Sequence, residues 1–290
     1  MATSLTSKNG TLVFGPGLPT VLINDKLVIM DQSPVVLDEL RSGKIDFLLE
    51  MARMGQRMGM DMVDILITHP EVDEVELLPR IAAAVCEEIG CPIALDSRDP
   101  EALEAALSEL QPYKAVINSV STENEVMESL LPLAVKYKAA IIGMPMGQGT
   151  SVPETVEERL AETRTLIETA EGYGVPREDI IMDGIVLASS AQPDTMMVTL
   201  QTLRAMQEEY GVATVLGIGN AGHGMPTPVW IDLAYLLAAI PWGLNMALVD
   251  PQTPGIMKSV LAADFLVNND EYGKKYIADY RETKRKAKNK

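Results

Sequence analysis

The chain is short of the residues that build several familiar kinds of site. It has two histidines and two cysteines, and aromatic side chains make up 4% of it. Cys86 and Cys91 lie in CEEIGC, a spacing that matches no zinc signature, and two cysteines are too few for a disulfide framework. They read as reduced thiols of a cytoplasmic protein. His69, in ITHPEVD, and His223, in NAGHGMP, fall on separate loops, which makes a poor metal site. Each reads as a loop or supporting group rather than a base, with His223 the better placed. Basic residues are scarce too, 24 Lys and Arg against 41 Asp and Glu, for a net charge of -17. Such a surface repels phosphate backbones and anionic lipid, which argues against nucleic acid and membrane partners. AYLLAAIPWGLNMALV comes closest to a membrane span, but Pro241, Gly243 and Asn245 break it. The opening MATSLTSKNG lacks the basic start and apolar core of a signal peptide.

What is present is aliphatic. Hydrophobic residues make up 47% of the chain, with 17 methionines as adaptable filler. Short β-branched runs alternate with longer stretches of helical period. The strand candidates are VLINDKLVI (21–29), MVDILI (62–67), PIALD (92–96), KAVINS (114–119), AAIIGM (139–144), DIIMDG (179–184), ATVLGIG (213–219) and LNMALVD (244–250). Helical patterns separate them: SPVVLDELRSGKIDFLLEMARMGQRMG, EVDEVELLPRIAAAVCEEIG, DPEALEAALSEL, ENEVMESLLPLAVKYK, VPETVEERLAETRTLIETAEGYG, QPDTMMVTLQTLRAMQEEYG and TPVWIDLAYLLAAI. PGIMKSVLAADFLV and EYGKKYIADYRETKRKAK complete the set. Eight β-then-α units fit a single (β/α)8 barrel over residues 1–290 better than an open sheet, because no linker or composition break divides the chain. The leader TLVFGPGLP reads as part of a cap, residues 1–20, over the bottom of that barrel. RETKRKAKNK reads as a solvated helix end, basic where the helix dipole favours it.

The seventh strand runs into GIGNAG, a literal G-x-G-x-x-G. A dinucleotide fingerprint normally opens its βαβ unit, whereas one strand remains here, and Pro226 and Pro228 interrupt the helix start that would cradle a pyrophosphate. In a barrel this loop lies at the C-terminal face, where active sites form. Its glycines, Gly217 and Gly219, then let a flat ligand approach the backbone, and Asn220 supplies the functional side chain.

The other strand ends carry Asp64, Asp96, Asn118, Asp183 and Asp250. Any one of them has a plainer reading. Asp96 could cap the next helix, a role for which Asp99 competes. Asp64 sits within its strand and could be structural, and Asp250 before Pro251 reads as a turn residue rather than a ligand. As a ring of acids and amides on an aliphatic barrel they suit a ligand edge bearing both donors and acceptors, such as the amino-pyrimidinone edge of a pterin. The ring holds no phosphate-directed Lys or Arg and no Ser-His-Asp set.

These motifs, ALDSRDPEALEAAL, KAVINSVSTENE, AAIIGMPMGQGTSVP, GVPREDIIMDGIVL and TVLGIGNAGHGMP, closely resemble the methyltetrahydrofolate:corrinoid methyltransferases. That family comprises pterin-binding (β/α)8 barrels related to dihydropteroate synthase. The resemblance covers roughly residues 62–279. It implies that Asp96, Asn118, Asp183 and Asp64 hold the pterin, with Gly143, Gly217 and Gly219 beside it. It places Asn220 near the methyl-bearing ring nitrogen as the catalytic residue. The chain departs from the family at Leu66, where the family has Asn, at His69-Pro70, which replaces Gly-Pro, and at LINDKL, which replaces G-E-R-I. The resemblance further implies tetrahydrofolate or methyltetrahydrofolate as substrate and a homodimer. Because neither histidine lies in a D-x-H-x-x-G setting, it implies a corrinoid (cobalamin) carried by a separate partner protein. A dihydropteroate-synthase-like enzyme and a non-catalytic pterin-binding subunit are the alternatives. The first fits less well, because GIGNAG has no basic residue to stabilise a departing pyrophosphate.

Overall fold

Eight parallel strands close on one another in chain order to form a barrel in the computed structural model, which describes residues 1–29, 34–147, 151–192 and 194–288. They are β3 (Val21–Val28), β4 (Met62–Leu66), β5 (Ile93–Asp96), β6 (Val116–Ser121), β7 (Ala140–Met144), β8 (Ile180–Asp183), β9 (Ala213–Gly217) and β10 (Met246–Val249), with β10 returning to β3. All eight runs expected as strands are strands, with no end moved by more than two residues.

Around them stand α1 (Pro34–Arg41), α2 (Asp46–Met58), α3 (Glu74–Glu88), α4 (Pro100–Glu109), α5 (Asn124–Tyr137), α6 (Val156–Tyr173), α7 (Thr195–Tyr210), α8 (Pro228–Ala239), α9 (Ile256–Leu266) and α10 (Lys274–Lys288). The apolar stretch expected as one helix before β4 is two, α1 and α2. Gly43 adopts a left-handed φ of 77° and its N–H bonds back to Leu40 O, which closes the first helix where the period alone would have continued. The first residue of that stretch, Ser33, lies outside the described residues. No helix among the described residues is long and apolar enough to cross a membrane.

Two strands precede the barrel. β1 (Thr3–Ser7) and β2 (Gly10–Phe14) form an antiparallel hairpin turning at Lys8 and Asn9. Leu5 and Phe14 are fully buried in one cluster with Val21, Met62, Ala94, Val116, Ala140, Ala213 and Met246, the first inward-facing side chains of the barrel strands. The hairpin's polar bonds reach residues just before strands begin. Asn9 N–H donates to Gly90 O, Lys114 N–H donates to Thr6 O, and the Thr3 hydroxyl donates to Glu178 O. The hairpin therefore covers the N-terminal end of the barrel.

Helix and barrel meet closely at Gly55. A Cβ there would stand 2.3 Å from Asn24 Nδ2, which itself donates to Met51 O. Gly55→Ala is expected to destabilise the fold by about 2 kcal/mol through overpacking, read as a lower urea midpoint with an unchanged slope.

Candidate functional site

Side chains alternate across a strand, so the inward positions are predictable from any one of them. Met62, Ala94, Val116 and Ile181 face the barrel interior. Two residues further along their strands stand Asp64, Asp96, Asn118 and Asp183, at the C-terminal mouth. An aliphatic column thus ends in a polar ring by simple period-two geometry.

The structure ties three of these together. Asn118 Nδ2 donates to Asp64 Oδ1 at 3.0 Å and lies 3.4 Å from Asp96 Oδ2. Asp64 and Asn118 are 3% and 7% exposed, so the bonds lie out of bulk water. Burial, with the neighbouring Asp96 carboxylate, raises Asp64 well above the carboxylate range, and the Asn118 bond opposes the shift. Burial, reinforced by Glu74 and opposed by Arg98, raises Asp96 to about 7. Asp96 is free for this because Asp99 caps α4, accepting from the N–H groups of Glu101 and Ala102 at 2.9 and 3.3 Å.

Asp183 is raised to about 6, chiefly by burial, with the Ile185 N–H and Arg159 opposing. Its Oδ1 accepts from Ile185 N at 2.7 Å. Buried carboxyls near neutrality are the kind of group that functional sites tune.

Asn220 stands across the mouth in an exposed 3-10 turn, Ile218–Asn220, after β9. The next helix, α8, starts only at Pro228, so the loop presents no helix N-terminus to a pyrophosphate. A Cβ on Gly217 would sit 3.3 Å from Asn220 Nδ2, so glycine there clears room for the amide. Gly143 is a different case. Its missing Cβ would stand 2.7 Å from Leu166 and 2.8 Å from Met182 Sδ, towards the helix layer. Gly143→Ala is expected to cost about 1–3 kcal/mol of stability while leaving ligand affinity unchanged in the folded fraction, checked by denaturation and binding titrations.

Lys26, a cation outside the strand-end ring read from the sequence, also reaches the mouth. Asp25 follows the inward-facing Val21 and Ile23 at period two, and β3 carries an extra residue relative to β4 between Asn24 and Leu27, a bulge that brings Lys26 to the same mouth. Lys26 Nζ lies 3.4 Å from both Asp25 Oδ1 and Asp250 Oδ2. Lys26, Asp25 and Asp250 line a cavity of about 310 Å³ with Gly219, His223 and Asp232. Burial and Asp250 raise Asp25 while Lys26 opposes them. Asp250 also accepts from Gln252 N at 2.7 Å, the turn role read from its sequence. Asp232 holds the glycine-rich loop by accepting from Gly222 N at 2.7 Å. His69, remote from this constellation, accepts from Glu71 N through Nδ1. Among the described residues no three His, Cys, Asp or Glu side chains group to hold a metal.

Asp25 continues the inward positions of Val21 and Ile23 and escaped notice within LINDKL, whereas a bulge brings Lys26 and a loop contact brings Asp232 to the mouth. Arg159 escaped because it reads as one charge on a charged helix. Its phase was the available signal, since it shares the buried face of α6 with Thr163, Leu166, Ile167 and Ala170.

A family model described as pterin binding enzyme matches residues 35–250. The methylcorrinoid:tetrahydrofolate methyltransferase of Eubacterium limosum is 26% identical over 91% of this chain and 97% of its own. The methionine synthase of Mycobacterium tuberculosis is 24% identical over 61% of this chain, which matches 16% of that protein. A dihydropteroate synthase from Coxiella burnetii, solved with pteroic acid, aligns with a TM-score of 0.69 at 15% identity over 92% of this chain and 99% of that one. At that identity the likeness is one of fold.

Proposed function

The chain belongs to the pterin-binding enzyme family, and from that premise we propose that it is a methyltransferase moving a methyl group between a corrinoid protein and the ring nitrogen of tetrahydrofolate. The observation that carries the reading is the buried Asp64–Asn118–Asp96 group at the barrel mouth, with Asp183 two strands further round. Similarity to the Eubacterium limosum methyltransferase over nearly its full length supports the choice of reaction.

The residues suit the task. Ionised Asp96 and Asp183 accept hydrogen bonds from the amino-pyrimidinone edge, and Asn118 offers a donor and an acceptor to the same flat ring. The corrinoid supplies a cobalt centre that gives or takes the methyl group. The methyl group moves between two nucleophilic centres, so the protein forms no covalent bond to it and works by holding the ring and managing charge at the ring nitrogen. The Asn220 amide can accept from a protonated nitrogen or donate to a neutral one, so it serves transfer in either direction. In this reading residues 1–290 act as one pterin-binding unit with residues 1–20 as its cap. The corrinoid arrives at the mouth on a separate protein, and the enzyme is a cytoplasmic homodimer.

A synthase-type condensation is the weaker reading. The loop after β9 carries no lysine or arginine, and Lys26 is already held by two carboxylates, so a departing pyrophosphate finds little compensation.

The test is to mix the purified chain anaerobically with methylcobalamin and tetrahydrofolate and to quantify methyltetrahydrofolate. Product that requires the enzyme supports the proposal. Tight folate binding with no product, even with candidate corrinoid proteins, points to a non-catalytic pterin-binding subunit.

A further inference from the structure

Arg159 is fully buried, and it donates to backbone carbonyls and a threonine hydroxyl rather than to an acid. From the first turn of α6, Nη1 donates to Gly184 O at 2.7 Å, Ile185 O at 3.1 Å and Thr199 Oγ1 at 3.0 Å. Nε donates to Pro153 O at 3.1 Å. Thr199, on α7, donates in turn to Ile185 O at 2.8 Å. Two donors thus meet on the carbonyl of a residue whose own conformation is unusual. Ile185 has a φ of 57°, a left-handed backbone that β-branched residues avoid. Surrounding structure must hold such a conformation in place. The N–H of this same Ile185 engages Asp183 Oδ1 at 2.7 Å.

We propose that Arg159, with Thr199, is a positioning residue: it clamps the Gly184–Ile185 backbone so that one oxygen of Asp183 is fixed and the other is presented to the ligand. The inference rests on the proposed pterin-binding role of Asp183. A guanidinium suits the task because its Nη1 reaches the Gly184 and Ile185 carbonyls while Nε anchors the group to Pro153 O. Its charge also acts on Asp183 through space. The ionisable groups facing that carboxyl are Arg159 from α6, which lowers it, and the Tyr235 phenol from α8, whose own ionisation Asp183 disfavours.

The experiment compares wild type with Arg159→Lys, Arg159→Met and Thr199→Val. Three quantities are read: the Asp183 titration by ¹³C-carboxyl NMR, hydrogen exchange at the Ile185 amide, and tetrahydrofolate affinity by calorimetry. Arg159→Met removes cation and clamp together, so Asp183 should titrate about one unit higher and affinity should fall at least about tenfold. Arg159→Lys keeps a charge but is one atom shorter than the nitrogen that reaches Gly184 and Ile185, and it lacks the Nε donor to Pro153 O. It should leave the titration near wild type while speeding Ile185 exchange and weakening affinity. Thr199→Val, the mildest change, should weaken affinity about fivefold and speed the same amide. It keeps the test open if Arg159→Met does not fold. Wild-type exchange and affinity in both Arg159→Lys and Thr199→Val would overturn the clamp. If the wild type itself does not bind tetrahydrofolate, the proposed function fails instead, while titration and exchange still report on the clamp.

Discussion

Asn220→Ala should transfer methyl groups about a hundredfold more slowly at saturating folate, equivalent to about 3 kcal/mol of barrier, with the folate dissociation constant nearly unchanged. In the proposed site the ring edge is held elsewhere, by Asp96, Asn118 and Asp183. The exposed Asn220 amide faces it from the 3-10 turn after β9 in the proposed arrangement. A contact that strengthens only as charge develops on the ring nitrogen affects rate and not affinity. Single-turnover rates and equilibrium binding on the same preparation separate the two. An equal loss in both would make Asn220 an ordinary binding residue.

Acidifying the solution should act on folding and on ligand binding with opposite signs. Asp96 and Asp183 titrate at about 7 and about 6 because burial penalises their charged forms. Their unfolded-state values are near 3.8. Between the unfolded and folded values the native state holds protons that the unfolded chain has released, so stability falls as pH rises through that window. Each such proton changes stability by about 1.4 kcal/mol per pH unit where it is fully held. In the proposed site, ligand binding needs the carboxylates as acceptors. Below pH ~6, affinity for tetrahydrofolate should therefore drop by about tenfold per pH unit for each proton that must leave. Urea denaturation of the free protein and calorimetric titration with ligand, both run between about pH 5 and 8, make the comparison. Stability and affinity that rise together with pH would remove the raised carboxyls from the explanation.

The barrel was legible because its strands are β-branched runs separated by strong helical periods, as in DIIMDG and ATVLGIG. Asp64, Asp96, Asn118 and Asp183 were legible as a ring because strand parity carries an inward residue to an inward residue two positions on. Where geometry departs from regular period, the sequence was silent. The bulge between Asn24 and Leu27 brings Lys26 to the mouth, and no propensity marks it. Gly43 cuts a helix whose apolar period runs past it. Arg159 needed the helix phase to be weighed above its charge. The leader's strands, β1 and β2, were missed because TSLTS and GTLVF are short and their partners are each other.

That hairpin leaves the barrel with a sealed floor. Leu5 and Phe14 fill the space beneath the first inward layer, so a vessel with eight staves opens on one side only. Two large reactants sharing a single opening cannot arrive independently. If the proposed reaction holds, the flat ring settles against the acids below before a bulky carrier covers it, and it leaves only after that carrier has lifted away. In the proposed reaction, order of arrival is therefore a property of the architecture. A carrier that docks first should act as a lid, and excess carrier should slow turnover by trapping folate on the wrong side of it.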